Sequence, residues 1–228
     1  MNNKFERIKG ARLTKIEGLV GHTLPVFEKS FESKVGMHLD KVGKEILGQT
    51  EPTPVGVDIT HLQVEIKSKC TDSKSKSDWT IGTMTYQDII DTPYIDSAFY
   101  KKLQALWVIQ YSKSSQRVEQ SAVYYFDLDE IQEKLMKGYE DCRALLTAYC
   151  DEQMKSIYLL KESRLFTFGN EVDEIKFERS HRFKPDVSNY VLELNAKSKT
   201  SFKFRIKDSE MRNLFKLAAS IKNPLFEF

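Results

Sequence analysis

Apolar residues return along the chain in two rhythms. Phe27, Phe31, Val35, Leu39, Val42, Ile46 and Leu47 recur at three- and four-residue steps, which predicts an amphipathic helix over 26–48, broken at Gly36 or Gly43. Phe5, Ile8, Leu13, Ile16 and Leu19 mark a shorter helix over 4–20, interrupted at Gly10 and again near Gly18 and Gly21. Leu135, Tyr139, Cys142, Leu145, Leu146 and Tyr149 line a long helix within 131–160, and Met211, Leu214, Phe215, Leu217 and Ala218 a closing one over 208–221. Elsewhere the period is two, the signature of a half-buried strand. Val55/Val57/Ile59, Leu62/Val64/Ile66, Trp79/Ile81/Thr83/Thr85 and Phe202/Phe204/Ile206 all alternate in this way. The run 101–111 reads as a buried strand that pairs with 120–128 across a hairpin at 112–117. The segment 86–100, which contains Pro93, reads as a helix or turns, and Gln49 to Pro54 as a loop. Strands and helices mixed in this order predict an α/β fold. No linker rich in Pro, Gly or Ser divides the chain, so one domain over 1–228 is expected.

Chemistry concentrates in 55–69. Residues two apart on a strand share a face, so Glu65 and Lys67 leave the second strand together, away from Leu62, Val64 and Ile66. If the strand 55–60 lies alongside, Asp58 reaches the same spot. Two carboxylates and a backbone carbonyl are hard oxygen donors, suited to Mg²⁺ or Mn²⁺. A cation held there can polarise a phosphate and lower the pKa of a bound water. With 33 acidic residues in 228, this spacing alone arises by chance roughly once per chain, so the strand context carries the weight.

Asp58 followed by Glu65-Ile66-Lys67 resembles the PD-(D/E)xK motif of metal-dependent DNA endonucleases. The gap from Asp to Glu is similar to that of the MutH-like branch, which includes type II restriction endonucleases. Val57 stands where the motif name has Pro. The resemblance implies a restriction-endonuclease-like fold, with a mixed central β-sheet flanked by helices. It also implies Asp58, Glu65 and the Ile66 carbonyl as ligands of Mg²⁺ (Mn²⁺ may substitute), and Lys67 as the group that orients or deprotonates the attacking water. Lys34-Val-Gly36-Met-His-Leu-Asp40 resembles a stretch on the helix before the catalytic strands of that branch, making Asp40 the helix carboxylate, with Glu45 as its rival. Gly36, one turn before Asp40, would let this helix approach a neighbouring backbone. Lys102, or Lys101, falls where the branch has an auxiliary lysine before a Leu-Trp-rich strand. Ser68 and the polar segment that follows also look like the superfamily, and Lys34, Ser68 and Lys69 become candidate DNA contacts. Taken without the resemblance, Asp40 and Glu45 are ordinary solvated helix acids, and Lys101-Lys102 an ordinary basic pair before a core strand.

Composition narrows the partner classes. Apolar residues make up 40% and charged residues 30%, as in soluble globular proteins, and the net charge is only +2, so a nucleic-acid surface must come from local clustering. Two clusters qualify. Arg179, His181, Arg182 and Lys184 lie within 176–185, and Arg-Phe-Lys-Pro there loosely resembles the segment with which the MutH-like branch reads its site. Lys203, Arg205 and Lys207 alternate with Phe202, Phe204 and Ile206, which makes one strand face apolar and the other basic. Arg182, Lys184, Lys203 and Arg205 are accordingly candidate contacts to double-stranded DNA. Three cysteines without a CxxC pair and four scattered histidines suggest neither zinc nor disulfides. No run nears the ~18 apolar residues of a membrane helix, and the first residues lack the apolar stretch of a secretory leader, so a cytoplasmic protein without membrane contact is expected.

The expected function is therefore sequence-specific DNA cleavage by a type II restriction enzyme, monomeric or homodimeric on DNA. The rivals are a nicking endonuclease of the mismatch-repair type and a DNA-binding module that keeps the fold without catalysis. A glycosidase with Asp58 and Glu65 as paired carboxylates leaves Lys67 and the basic clusters unused.

Overall fold

The computed structural model describes residues 7–27, 31–49, 57–73, 78–163, 175, 177–179, 181–185 and 191–220. In chain order its elements are α1 (Gly10–Glu17), α2 (Phe31–Leu47), β1 (Glu65–Cys70), β2 (Trp79–Thr85), α3 (Tyr86–Asp91), α4 (Ala98–Lys102), β3 (Ala105–Ser112), β4 (Arg117–Tyr125), α5 (Asp129–Ser163), β5 (Arg182–Phe183), β6 (Leu192–Ala196), β7 (Ser201–Ile206) and α6 (Asp208–Ser220). The chain divides into two compact units, one of residues 1–77, 100–131 and 212–228, the other of 78–99 and 132–211.

The first unit is built on the sheet β1-β3-β4, with β1 parallel to β3 and β3 antiparallel to β4. The central strand β3 is an unbroken buried run, Ala105 to Ile109, as a strand covered on both faces should be. Helix α2 lies on one face of this sheet. Its buried Val35, Leu39 and Leu47 form its inner stripe, and Gly43 is the point of closest approach. A Cβ at Gly43 would stand 2.7 Å from Ile66 Cδ1 and 3.0 Å from Trp107 Cζ3, so the helix can sit this low only over a glycine. Gly36 plays a lesser version of the same part above Ser68, where a Cβ would meet Oγ at 3.2 Å. Gly48, with φ +74°, provides the left-handed step just after the helix. The last turn of α1 is fixed through a side chain. Trp107 Nε1 donates to Ser121 Oγ at 2.9 Å, and that hydroxyl donates to the Ile16 carbonyl at 2.6 Å. Across the hairpin, Asp72 accepts from the Lys113 and Ser114 amides at 2.7 and 2.8 Å and from Ser112 Oγ at 3.0 Å, tying the end of β1 to the β3–β4 turn.

The second unit carries an antiparallel sheet of order β2-β7-β6-β5. Phe202, Phe204 and Ile206 of β7 are buried, and Phe204 stacks on Tyr139 of α5 and on Phe99. The helix comes close to the sheet at Gly138, where a Cβ would stand 3.2 Å from Leu192 Cβ.

Three expectations need correction. The described residues form two sheets where one mixed central sheet was expected. Trp79–Thr85 does not join β1. It pairs with β7, whose buried Phe202, Phe204 and Ile206 match the buried Trp79, Ile81 and Met84. The strand expected before β1 is reduced to a single bridge, Ile59 with Val64. A 3-10 turn at Thr60–Leu62 and Gln63 at φ 53° reverse the chain between the two bridge partners; Val55 and Gly56 lie outside the described residues. Lys101 and Lys102 precede the strand, as expected, but are not part of it. They form the last turn of α4, and β3 begins at Ala105. The fold class itself holds as α/β, with a mixed and an antiparallel sheet flanked by helices. Cys70, Cys142 and Cys150 are free and buried. No helix among the described residues is long and apolar enough to cross a membrane.

Candidate active site

Side chains from α2, the Asp58 segment and the end of α4 converge at the start of β1. Glu65 is its first residue and its side chain is only 3% exposed. A carboxylate so placed must be paired or give up its charge. Lys67 Nζ donates to Oε1 at 2.6 Å from the same strand face, and Lys102 Nζ, from the end of α4, donates to Oε1 at 2.9 Å and Oε2 at 2.8 Å. Burial pushes the Glu65 carboxyl above its ordinary range and the Asp58 charge adds to this, while both lysines work against it. Lys101, by contrast, is exposed.

Asp58 reaches the cluster without the strand pairing that the sequence suggests. Its Oδ2 accepts from the Ile66 amide at 2.9 Å, so the backbone of β1 itself holds the carboxylate beside Glu65. The Ile59–Val64 bridge brings the chain back at the right place, with amide–carbonyl distances of 2.9 and 3.1 Å. Asp58 Oδ1 has a looser neighbour, the Lys44 ammonium at 3.8 Å. Lys44 in turn donates to Asp40 Oδ2 at 2.8 Å. Burial opposes the charge on Lys44, but the Asp40 hydrogen bond and the fields of Asp40, Asp58 and Glu65 leave its pKa above the ordinary value. Glu45 points to a different neighbour, Lys41 at 4.0 Å, and both are well exposed. Of the two helix acids, Asp40 is the one that shares a partner with Asp58.

No family model matches this chain, and no curated protein matches it. Its chemistry therefore has to be read from its own side chains. Among the described residues, no three His, Cys, Asp or Glu side chains gather tightly enough to hold a metal by themselves. Two carboxylates with a backbone carbonyl are a smaller donor set, and that set does fit a hard divalent cation. An ionised carboxylate offers about four acceptor sites. Among the described residues, Glu65 accepts three hydrogen bonds and Asp58 Oδ1 has only its distant ammonium. Asp58, Glu65 and the Ile66 carbonyl are all-oxygen donors of the kind Mg²⁺ and Mn²⁺ take. The charges of Asp40, Asp58 and Glu65 are balanced by those of Lys44, Lys67 and Lys102. An added dication then calls for an anionic ligand such as a phosphate.

The remaining predicted residues are distributed as follows. Ser68 lies under Gly36 of α2, on the strand face opposite Glu65 and Lys67, and Lys69 shares the Glu65/Lys67 face by alternation. Lys34 stands over the Phe27 ring at 5.7 Å, six residues before Asp40, or about 9 Å along the helix axis. The basic candidates belong to the second unit. Arg182, Asn195, Lys203 and Thr83 fall in register across four strands, so they share one sheet face. Arg182, Lys203 and Lys184 are exposed. That face is not wholly basic. Arg205 lies 3.5 Å from Asp78 and 3.8 Å from the buried Glu193, so its charge is largely compensated within the fold. Arg179 is exposed in a turn.

Lys44 is the member of the cluster that the sequence reasoning missed. Its signal was present: a lysine four residues after Asp40 lies on the same helical face, in the favourable acid-before-lysine order.

Proposed function

We propose that the protein is a metal-dependent DNA endonuclease with a restriction-endonuclease-like first unit. The observation that carries this reading is the Asp58 carboxylate, bonded to the Ile66 amide, beside a buried Glu65 held by both Lys67 and Lys102. Storing a carboxylate at 3% exposure between two lysines costs desolvation, and a surface salt bridge would not require it. A site that needs a fixed, oriented carboxylate would.

In this reading Asp58, Glu65 and the Ile66 carbonyl hold Mg²⁺, which when bound supplies Lewis-acid activation of the phosphodiester and of its attacking water. The chain's own residues do the rest. Lys102 keeps Glu65 from turning, since it grips both carboxylate oxygens. Lys67 orients the attacking water and offsets the negative charge that builds on the phosphate. The backbone amide of Ile66 keeps Asp58 in place as the phosphorus–oxygen bond to the leaving group breaks. The row Arg182–Lys203 on the second unit supports DNA as the substrate, because phosphate contacts account for most of the affinity of such proteins. Incubation of the purified chain with plasmid DNA and Mg²⁺, followed by sequencing of the ends, tests the reading. Defined ends at a repeated sequence are expected. Intact supercoiled plasmid at micromolar enzyme would contradict it.

A further inference from the structure

Two lysine–acid pairs with the same four-residue spacing sit side by side on α2, and they differ in a way that assigns Lys44 a task. Lys41 and Glu45 are 78% and 66% exposed and 4.0 Å apart, an ordinary surface pair. Lys44 is 27% exposed, lies 2.8 Å from Asp40, and also reaches Asp58, on a different element, at 3.8 Å. Helix pairing alone explains the Asp40 contact but not the Asp58 one.

Resting on the nuclease reading, we propose that Lys44 is the built-in cation of the acid cluster. Its ammonium stands between Asp40 and Asp58 Oδ1, one of the oxygens that would hold a divalent cation with Glu65 and the Ile66 carbonyl; it ties the two acids together in the metal-free protein and must withdraw as the metal binds. The geometry favours this over a fixed structural role. The oxygen that Lys44 faces on Asp58 is Oδ1, while the Ile66 amide takes Oδ2. Oδ1 is thus the oxygen left for a metal, and the ammonium stands close to it without a hydrogen bond that would have to be broken. One positive charge beside a cation site lowers the affinity of that site, and removing it raises the affinity. A lysine whose charge lies outside the reach of the bound cation, as Lys41 does beside Glu45, has no such effect.

The test is Mn²⁺ binding to the full-length, DNA-free protein at fixed pH and low ionic strength, followed by calorimetry. Lys44→Gln keeps a donor for Asp40, and Lys44→Met removes it, so at least one folded variant is available; Lys41→Gln is the control. Both Lys44 variants should bind Mn²⁺ more tightly than the wild type, on the order of tenfold, the size expected for one unit charge a few ångströms away at a protein surface. Lys41→Gln should leave the affinity unchanged. Mn²⁺ should also raise the unfolding temperature more in Lys44→Gln than in the wild type. Equal or weaker Mn²⁺ binding in Lys44→Gln, with binding abolished in Asp58→Asn, would overturn the role of Lys44 and leave the nuclease reading standing. Mn²⁺ binding that is unaffected by Asp58→Asn would overturn both.

Discussion

Lys102 donates to both carboxylate oxygens of Glu65, at 2.9 and 2.8 Å, from a position 37 residues further along the chain. The contact joins the end of α4 to the start of β1, and both partners are largely buried. Lys102→Met should therefore destabilise the protein by about 1–3 kcal/mol, less than for a wholly broken buried pair because Lys67 remains. Lys101→Met, one residue away and exposed, should stay within about 0.5 kcal/mol of the wild type. Urea unfolding of the two variants separates the cases, and equal midpoints would show that the Lys102–Glu65 bond contributes nothing.

Gly43 lets α2 rest on Ile66 and Trp107. A valine there adds two methyl groups as well as the Cβ that already meets Ile66 Cδ1 at 2.7 Å, and the Trp107 ring cannot yield as an isoleucine methyl can. Gly43→Val should cost about 2–3 kcal/mol through overpacking. It should also lift the helix that carries Asp40 and Lys44. A variant as stable as the wild type would mean that the helix is not seated this closely.

Hydrogen bonds from the Ser114 side chain, from the Lys113 and Ser114 amides and from Cys70 Sγ hold the Asp72 carboxyl far below the usual range. A depressed folded-state pKa contributes stability that is present above the unfolded-state value, about 3.9, and is lost as the pH falls below it. Asp72→Ala should thus be less stable than the wild type at pH 7, with the gap narrowing below about pH 4. Urea midpoints at a series of pH values check this. A gap that stays constant into acid would dissociate the hairpin from the Asp72 charge.

On the second unit, Lys203 and Arg205 share a strand face but differ in company. Lys203 is exposed, whereas Arg205 is flanked by Asp78 and Glu193. Lys203→Ala should reduce the slope of log affinity for DNA against log salt by about one, without sequence preference. Arg205→Ala should leave that slope unchanged and lower the stability instead. Identical salt slopes for the wild type and Lys203→Ala would mean that DNA does not lie on this face.

Periodicity made much of this architecture legible. The helical stripe of Val35 and Leu39, the alternation of Phe202, Phe204 and Ile206, and the hairpin between β3 and β4 all stand where the pattern puts them. Alternation shows which residues share a face, but not which strand lies next to which. Nothing in the alternation of the Trp79 strand says that its apolar face fits β7. Within the cluster, Glu65 and Lys67 could be seen together because they are two residues apart on one strand. Lys102 could be placed near them only by resemblance, since its contact spans 37 residues. Asp58 was expected there through a strand of which the described residues show only the Ile59–Val64 bridge. A single hydrogen bond to the Ile66 amide does that work, and a backbone donor leaves no mark in a sequence.

On the nuclease reading, Asp58 and Glu65 act in chemistry rather than in folding or DNA binding. The direct measurement is single-turnover cleavage of a cognate duplex in Mg²⁺ by the wild type, Asp58→Asn and Glu65→Gln, with DNA affinity measured in parallel in Ca²⁺. Both variants should bind DNA in Ca²⁺ nearly as the wild type does, while cleavage falls by at least about 1,000-fold, as for loss of a principal electrostatic group in a transition state. An Asp58→Asn protein that cuts at the wild-type rate would contradict that reading.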